Sequence, residues 1–208
     1  MADVKISALP AATSANTTDE LPANQAGTTR KVTVEQLHEK FVLARDSNTV
    51  LVNNSTTTTS IYSCTIPANA LAADRTAHTY LLGQYWHSVG ASATLTLRVG
   101  YSTTTMYQEN TTTFTASSTS RPIIIDLYLS NKSATNSQQL GGIVFISGTG
   151  GATTGWGDLA ASATIVADIR GTAAIDSTSA RTFEVFVTHS TASTLVSFEK
   201  LYAFTELI

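Results

Sequence analysis

The residue types that could carry out chemistry are scattered along this chain. Its four histidines are His38, His78, His87 and His189, and no two of them have the spacing of a known metal-binding motif. The carboxylates are equally dispersed, and no Gly-x-Ser-x-Gly sequence is present to form the nucleophile elbow of a serine hydrolase. We therefore expect no enzyme activity, no cofactor and no bound metal.

Three other features bear on binding or reactivity. Trp156 stands in the glycine-rich stretch 153–158, where an exposed indole could contact a ligand, or could fold back over its own domain. The run Gly148-Thr149-Gly150-Gly151 lacks the Lys-Ser/Thr pair of a phosphate-binding loop, so it indicates an ordinary loop. Cys64 is the single cysteine, which excludes an intrachain disulfide, and its apolar neighbours indicate a buried thiol.

The composition favours strands and turns. Only 13% of the 208 residues are charged, well below the usual quarter, and threonine is the commonest residue. The net charge is −3 with no basic patch, so we expect no nucleic-acid partner. We also expect no membrane partner and synthesis in a cytoplasm, because the sequence has neither a long apolar run nor a signal-peptide pattern.

Alternation of apolar and polar residues predicts strands throughout residues 48–208. In the segments 95–101, 123–129 and 183–187 every second residue is apolar and is expected to face a core. The segment 195–207 is expected to be the last strand. The residues expected to share a face of that strand are Val196, Phe198, Lys200, Tyr202 and Phe204. About ten short strands separated by Gly, Ser, Thr and Asn predict an all-β, antiparallel β-sandwich of the jelly-roll type.

One short helix is predicted over residues 33–47, between the sandwich and the N-terminal segment. Thr33 and Gln36 fit a capping box. The apolar residues at helical spacing are Val34, Leu37 and Phe41. A helix of about three turns is marginal without a packing partner. We expect these side chains to pack on the sandwich or on copies of themselves, unless the helix is a plain linker.

Residues 1–32 predict an extended arm. Leu9-Pro10-Ala11 recurs as Leu21-Pro22-Ala23, and each proline favours extended backbone at the residue before it. The stretch is too poor in large apolar residues to fold alone, so it is either a disordered tail or an arm that docks on another subunit. The residues expected to anchor such an arm are Ile6, Leu9, Leu21 and Val32.

The N-terminal part of the chain resembles the N-terminal motif of tailed-bacteriophage virion proteins such as head fibres, capsid decoration proteins and tail fibres. That motif reads I-S-x-L-P-A-A-T, then T-D-x-L-P, then Q-x-G-x-T-x-K-V-T-x-x-Q-L. Segments 6–13, 18–22 and 25–37 match it. The body resembles trimeric jelly-roll domains of phage head and tail proteins in segments that include 66–71 and 95–100.

These resemblances imply a non-enzymatic virion structural protein, made in the cytoplasm of the bacterial host and built into the virion. The reading we favour is a homotrimeric capsid decoration (cement) or head-fibre protein that docks on the major capsid protein or another virion protein. One alternative is a short tail fibre, an adhesin that binds a host-surface glycan or protein. The other is a glycan-degrading tail protein.

Overall fold

The structure is a computed structural model, and it describes residues 20–25, 28–33, 42–71, 75–88, 93–111, 117–147 and 165–208. Thirteen strands and no helix are found in these ranges, which confirms the all-β prediction. The strands are β1 (Glu20–Gln25), β2 (Thr28–Thr33), β3 (Val42–Asp46), β4 (Val50–Asn53), β5 (Thr59–Ile66), β6 (Thr76–His87), β7 (Leu95–Tyr101), β8 (Thr104–Asn110), β9 (Ser117–Asn131), β10 (Gln138–Ile146), β11 (Ile165–Ala173), β12 (Arg181–His189) and β13 (Val196–Leu207).

The chain divides into two units, Met1–Phe41 and Val42–Ile208. In the first unit, β1 and β2 pair in antiparallel register, with Glu20 opposite Thr33 and Gln25 opposite Thr28. The described part of the predicted arm is therefore a two-stranded ribbon rather than a single extended strand. An isolated ribbon of this size is marginally stable in water.

The predicted helix is wrong where the structure describes it. Residues 42–46 of the predicted range 33–47 form β3, which pairs antiparallel with β13. Over residues 42–46, pairing with a neighbouring strand thus outweighs any helical preference, because local propensity is only a weak preference. The sandwich consequently begins at Val42 rather than at residue 48.

The strand order of the second unit is that of a jelly roll. Four antiparallel pairs are nested in the sequence, namely β7 with β8, β6 with β9, β5 with β12, and β4 with β13. The pairs alternate between two sheets, which confirms the predicted sandwich and its jelly-roll type. The smaller sheet has the order β5-β12-β7-β8, and the larger has the order β11-β10-β9-β6-β13-β3 with β4 also on β13.

Hairpin β10–β11 is additional to these eight strands. It extends the larger sheet beyond β9, with β10 paired to β9 on one side and to β11 on the other. The larger sheet therefore has seven strands against the four of the smaller sheet. No helix able to cross a membrane is present in the part of the chain that the structure describes.

Both sheets turn alternate side chains into one core, as the sequence predicts for β7, β9 and β12. The buried residues of these strands that the alternation assigns to the core are Leu95, Leu97, Val99, Tyr101, Ile123, Ile125, Leu127, Leu129, Phe183, Val185 and Val187. Apolar burial stabilises a fold by about 25 cal/mol per Å². The shared alternation is therefore what holds the two sheets face to face.

Strand β13 departs from simple alternation. Its register to β6 shifts between Lys200 and Tyr202, which marks a β-bulge. Before the bulge Val196 and Phe198 are buried, but after it Tyr202 and Phe204 are only partly buried, on the outer face. An extra residue exchanges the two faces of a strand, so the prediction that all these residues share one face is wrong for Tyr202 and Phe204.

Trp86 lies on the outer side of β6. It is only partly buried, and the register places it opposite Ser197. Its neighbours Tyr85 and His87 take the buried positions.

Candidate functional site on the outer face of the larger sheet

Most of the site residues predicted from sequence lie outside the described part of the chain. These residues are Ile6, Leu9, Val34, Leu37, Phe41 and Trp156. Leu21 and Val32 are described, and the hairpin register makes them direct cross-strand partners. The docking role of Ile6, Leu9, Leu21 and Val32 stays a prediction. So do the packing role of Val34, Leu37 and Phe41 and the ligand contact of Trp156.

The outer face of the larger sheet carries a cluster of aromatic residues, which we call the aromatic patch. It consists of Tyr80 on β6 and of Tyr202 and Phe204 on β13, and Trp86 lies further along β6, beyond the Gln84–Glu199 pair. The Phe204 ring centroid lies 5.8 Å from that of Tyr80 and 6.0 Å from that of Tyr202, within the range of favourable aromatic pairs. The bulge in β13 creates this patch, because without it Tyr202 and Phe204 would face the core.

Further apolar side chains border the aromatic patch. Leu51 is 60% exposed on β4 and Leu201 is 37% exposed at the bulge. Leu82 and Ile124 are partly buried, and the register pairs Leu82 with Tyr202 on one side and with Ile124 on the other. Contiguous apolar surface of this kind usually marks an interaction site on a soluble protein.

A small charged cluster lies at the end of the aromatic patch. His78 Nε2 is 2.8 Å from a carboxylate oxygen of Asp126, and His78 Nδ1 is 3.2 Å from one of Glu206. The His78 ring also stacks on Tyr128, with ring centroids 4.8 Å apart and planes 15° apart. Its edge meets Phe204 at 5.7 Å. The imidazole is thus fixed by contacts on all sides.

A buried ion pair lies beneath the bulge. Lys200 is fully buried, and its Nζ is 2.5 Å from an Asp46 carboxylate oxygen on β3. Burial acts to raise the pKa of Asp46, but the hydrogen bonds from Lys200 and Asn48 and the Lys200 charge outweigh it and lower the pKa below 3.8. Because a buried ammonium needs a partner, Asp46 neutralises a charge that the core could not otherwise hold.

Four side chains near this pair form a buried polar cluster between the sheets. The Thr205 hydroxyl lies 2.8 Å from the Tyr62 hydroxyl, 2.7 Å from the Thr79 hydroxyl and 3.4 Å from the Cys64 sulfur. Burial raises the pKa of the Cys64 thiol. A thiol held in its neutral form is a poor nucleophile, so the prediction of a buried structural thiol fits both its burial and its chemistry.

Two histidines, His87 and His189, are buried at one end of the sandwich. His189 Nε2 lies 3.2 Å from the Val52 carbonyl oxygen, and burial lowers the pKa of His189 below 6.5. Within the described ranges, no three His, Cys, Asp or Glu side chains are placed to hold a metal ion. His38 lies outside those ranges.

The sequence alone did not identify the aromatic patch as a site. The residues of the patch lie on two separate stretches of chain, β6 and β13, and Tyr202 and Phe204 occupy the outer face only because of the bulge. The one signal in the sequence is the density of large apolar and aromatic residues in segments 80–86 and 202–204.

The fold and this surface define the chain as a jelly-roll protein with an aromatic outer sheet face. No protein-family model and no curated protein matches its sequence. Among solved structures it is similar to a chain in the structure of infectious bursal disease virus Gt strain, with a TM-score of 0.31 and 11% identity. That similarity covers 97% of this chain and 42% of the viral chain.

A second similar chain belongs to the crystal structure of the T13 IBDV viral particle, with a TM-score of 0.30 and 8% identity. There the similarity covers 93% of this chain and 37% of the other. This chain therefore spans less than half the length of each of the two chains.

Proposed function

We propose that this chain is a non-enzymatic structural protein of a tailed-bacteriophage virion. Its sandwich forms a homotrimer through the aromatic patch, and its N-terminal arm docks the trimer on the major capsid protein or another virion protein. The protein acts as a capsid decoration (cement) or head-fibre protein. The observation that carries the proposal is the aromatic patch, considered together with the phage-type N-terminal motif.

The physical argument for self-association rests on apolar side chains that stay uncovered on the outer face of the larger sheet. Tyr80, Tyr202 and Phe204 are only partly covered within one chain, and Leu51 is mostly exposed. Covering them with another subunit gains about 25 cal/mol for each Å² of apolar surface removed from water. Identical subunits normally assemble with closed symmetry, and a threefold axis is the arrangement that the resemblance to trimeric phage domains implies.

The arm supports docking through its few apolar residues. In hairpin β1–β2, Leu21 lies directly opposite Val32, so the two described anchor residues belong to one cross-strand pair. Repetition over many copies of a shell turns a small gain per arm into firm attachment.

The docking role is tested by decorating purified virions that lack the protein. The double variant Leu21→Asp with Val32→Asp is expected to lose attachment, because it places two charges where the arm is proposed to bury apolar side chains. Thr29→Asp, in the same hairpin, is the matched control and is expected to attach normally. Attachment of the double variant at the wild-type level would refute docking through this pair.

The position of the protein on the virion separates decoration from the tail-fibre alternative. In a reconstruction of the intact virion, we expect density for the sandwich on the head surface. Density at the tail tip would instead establish a tail fibre and refute the decoration role. Absence of the protein from virions would refute both.

A further inference from the structure

A second surface on the outer face of the larger sheet is formed by one row of cross-strand neighbours. The register places Glu206, His78, Tyr128, Gly141 and Arg170 side by side, on β13, β6, β9, β10 and β11 in turn. Residues in such a row point to the same side of a sheet. The row crosses from the original jelly roll onto the additional hairpin β10–β11.

Tyr128 forms one wall of a groove in this row. One face of its ring is covered by His78, at 4.8 Å, and His78 is in turn held by Asp126 and Glu206. The side chain of Tyr128 is nevertheless 41% exposed. Its ring is therefore fixed in orientation while much of its surface stays open to a ligand.

Gly141 forms the floor of the groove. It is the cross-strand neighbour of Tyr128 on the side away from His78, and a Cβ atom placed on it would meet nothing within 4 Å. The resulting groove has a volume of about 600 Å³. That volume lies within the range of about 300–1,000 Å³ typical of small-molecule sites.

Arg170 forms the opposite wall, one strand beyond Gly141. Tyr128 and Arg170 lie two strand spacings apart, which is roughly 10 Å between their backbones. A ring in van der Waals contact on both faces needs roughly 7–8 Å. The gap above Gly141 therefore admits one ring and is too narrow for two stacked rings.

Polar side chains surround this gap. Ser130, Gln139 and Thr172 form the next outward-facing row and also line the groove. Arg170 has an 84% exposed side chain, and one guanidinium nitrogen donates to Asp168 at 3.2 Å. Because a guanidinium carries five N–H groups, donors remain available for a ligand.

We propose that this groove binds a glycan, with one pyranose ring inserted over Gly141 between Tyr128 and Arg170. The apolar C–H face of a sugar suits the exposed aromatic ring, and its hydroxyl groups suit the surrounding hydroxyl, amide and guanidinium groups. An aromatic side chain of a partner protein would fit the gap but would leave Ser130, Gln139 and Thr172 without partners. The polar lining therefore favours a sugar.

The probe for this proposal is an array of immobilised neutral and acidic pyranose oligosaccharides, followed by calorimetric titration of the oligosaccharide that gives the strongest signal. The full-length chain is expected to bind at least one of them. Gly141→Val is expected to weaken binding at least about tenfold, because its side chain fills the gap. Its melting temperature is expected not to fall, since a Cβ atom at this position meets nothing within 4 Å.

Gly100→Ala is the matched glycine control on the outer side of the smaller sheet. Its added Cβ would make ordinary contacts at 3.5 and 3.6 Å, so binding and folding are expected to be normal. Tyr128→Ala is expected to weaken binding as Gly141→Val does. The proposal is overturned if no oligosaccharide binds, if Gly141→Val binds like the wild type, or if Gly100→Ala weakens binding equally.

This inference goes beyond the proposed assembly and does not depend on it. The groove lies on β9, β10 and β11, whereas the aromatic patch lies on β6 and β13. A chain that forms trimers but binds no sugar would overturn the groove alone. A monomer that binds sugar would overturn the trimer alone.

Discussion

The two sheets of the sandwich have similar inner faces but very different outer faces. On the smaller sheet the outward residues are mostly hydroxyl-bearing or charged. They include Ser63, Thr65, Thr96, Arg98, Thr182, Glu184 and Thr188. Phe186 is the exception, and its ring is covered by the Arg98 guanidinium at 4.0 Å. The larger sheet presents the aromatic patch and the Tyr128 groove instead.

The difference shows that sheet pairing alone does not determine a surface. Both sheets follow the same alternation, so both contribute apolar side chains to the core. Both sheets contain register shifts, but only the one in β13 is followed by two aromatic residues that it turns outward, Tyr202 and Phe204. In β10 of the larger sheet, Gly141 leaves open space beside Tyr128. We infer that the smaller sheet is a face for solvent and the larger sheet a face for partners.

The largest effect on stability is expected from the ion pair of the larger sheet. Asp46→Ala should lower the free energy of unfolding by about 3 kcal/mol, because it leaves the Lys200 ammonium buried without a partner. Glu184→Ala on the smaller sheet removes only a long 3.5 Å contact to Ser60 and should cost less than about 0.5 kcal/mol. Urea unfolding at one fixed protein concentration measures both.

A second substitution checks the cause of that loss. Adding Lys200→Met to Asp46→Ala removes the buried charge, so the double variant should recover most of the lost stability. Two results would show that Asp46 does not neutralise a buried charge. One is an Asp46→Ala variant that loses no more unfolding free energy than Glu184→Ala, and the other is a double variant that regains none of the loss.

Substitutions of the two glycines of β10 should give the next largest difference in stability. A Cβ at Gly142 would lie 2.2 Å from the Asp126 carbonyl oxygen, so Gly142→Ala should cost about 1–3 kcal/mol of unfolding free energy. Gly141→Ala meets open space and should be neutral, or stabilise by about 0.4–1 kcal/mol through reduced freedom of the unfolded chain. Gly142→Ala should therefore melt at a lower temperature than Gly141→Ala, and equal melting temperatures would contradict the described packing of β10.

The smallest predicted effect is a dependence of stability on pH. Burial lowers the pKa of His189 below its usual 6.5, so below about pH 6.5 the unfolded chain binds a proton that the folded chain does not. Stability should therefore fall as pH decreases from 6.5 toward 5, by at most about 1.4 kcal/mol per pH unit from this group. Unfolding of His189→Phe should show a smaller slope over this range, and an unchanged slope would exclude His189 as its source.

The sequence predicted the core well because that prediction needs only local alternation. Leu95 and Leu97 on β7, and Val185 and Val187 on β12, follow the period of two without interruption. The positions of Tyr202 and Phe204 could not be predicted in this way. They depend on a bulge that adds one residue to β13, and nothing in the local pattern reveals it.

The helix prediction was wrong over residues 42–46, and the groove was not predicted, for a different reason. Both structures depend on contacts between segments that are far apart in the sequence. Residues 42–46 become a strand because β13, more than 150 residues later, offers its edge. The groove needs Tyr128, Gly141 and Arg170 in one row, which requires the register of three strands. A single sequence contains the residues but not their register.

The most direct test of the central claim is the solution mass of the full-length chain and two matched variants, measured by light scattering over a range of concentrations. We predict a mass of three 21.9 kDa chains for the wild type and for Phe186→Glu, and a smaller species for Phe204→Glu. Melting curves would verify that both variants stay folded. A single-chain mass for the wild type, or identical masses for the two variants, would contradict the claim that the larger sheet is the face for partners.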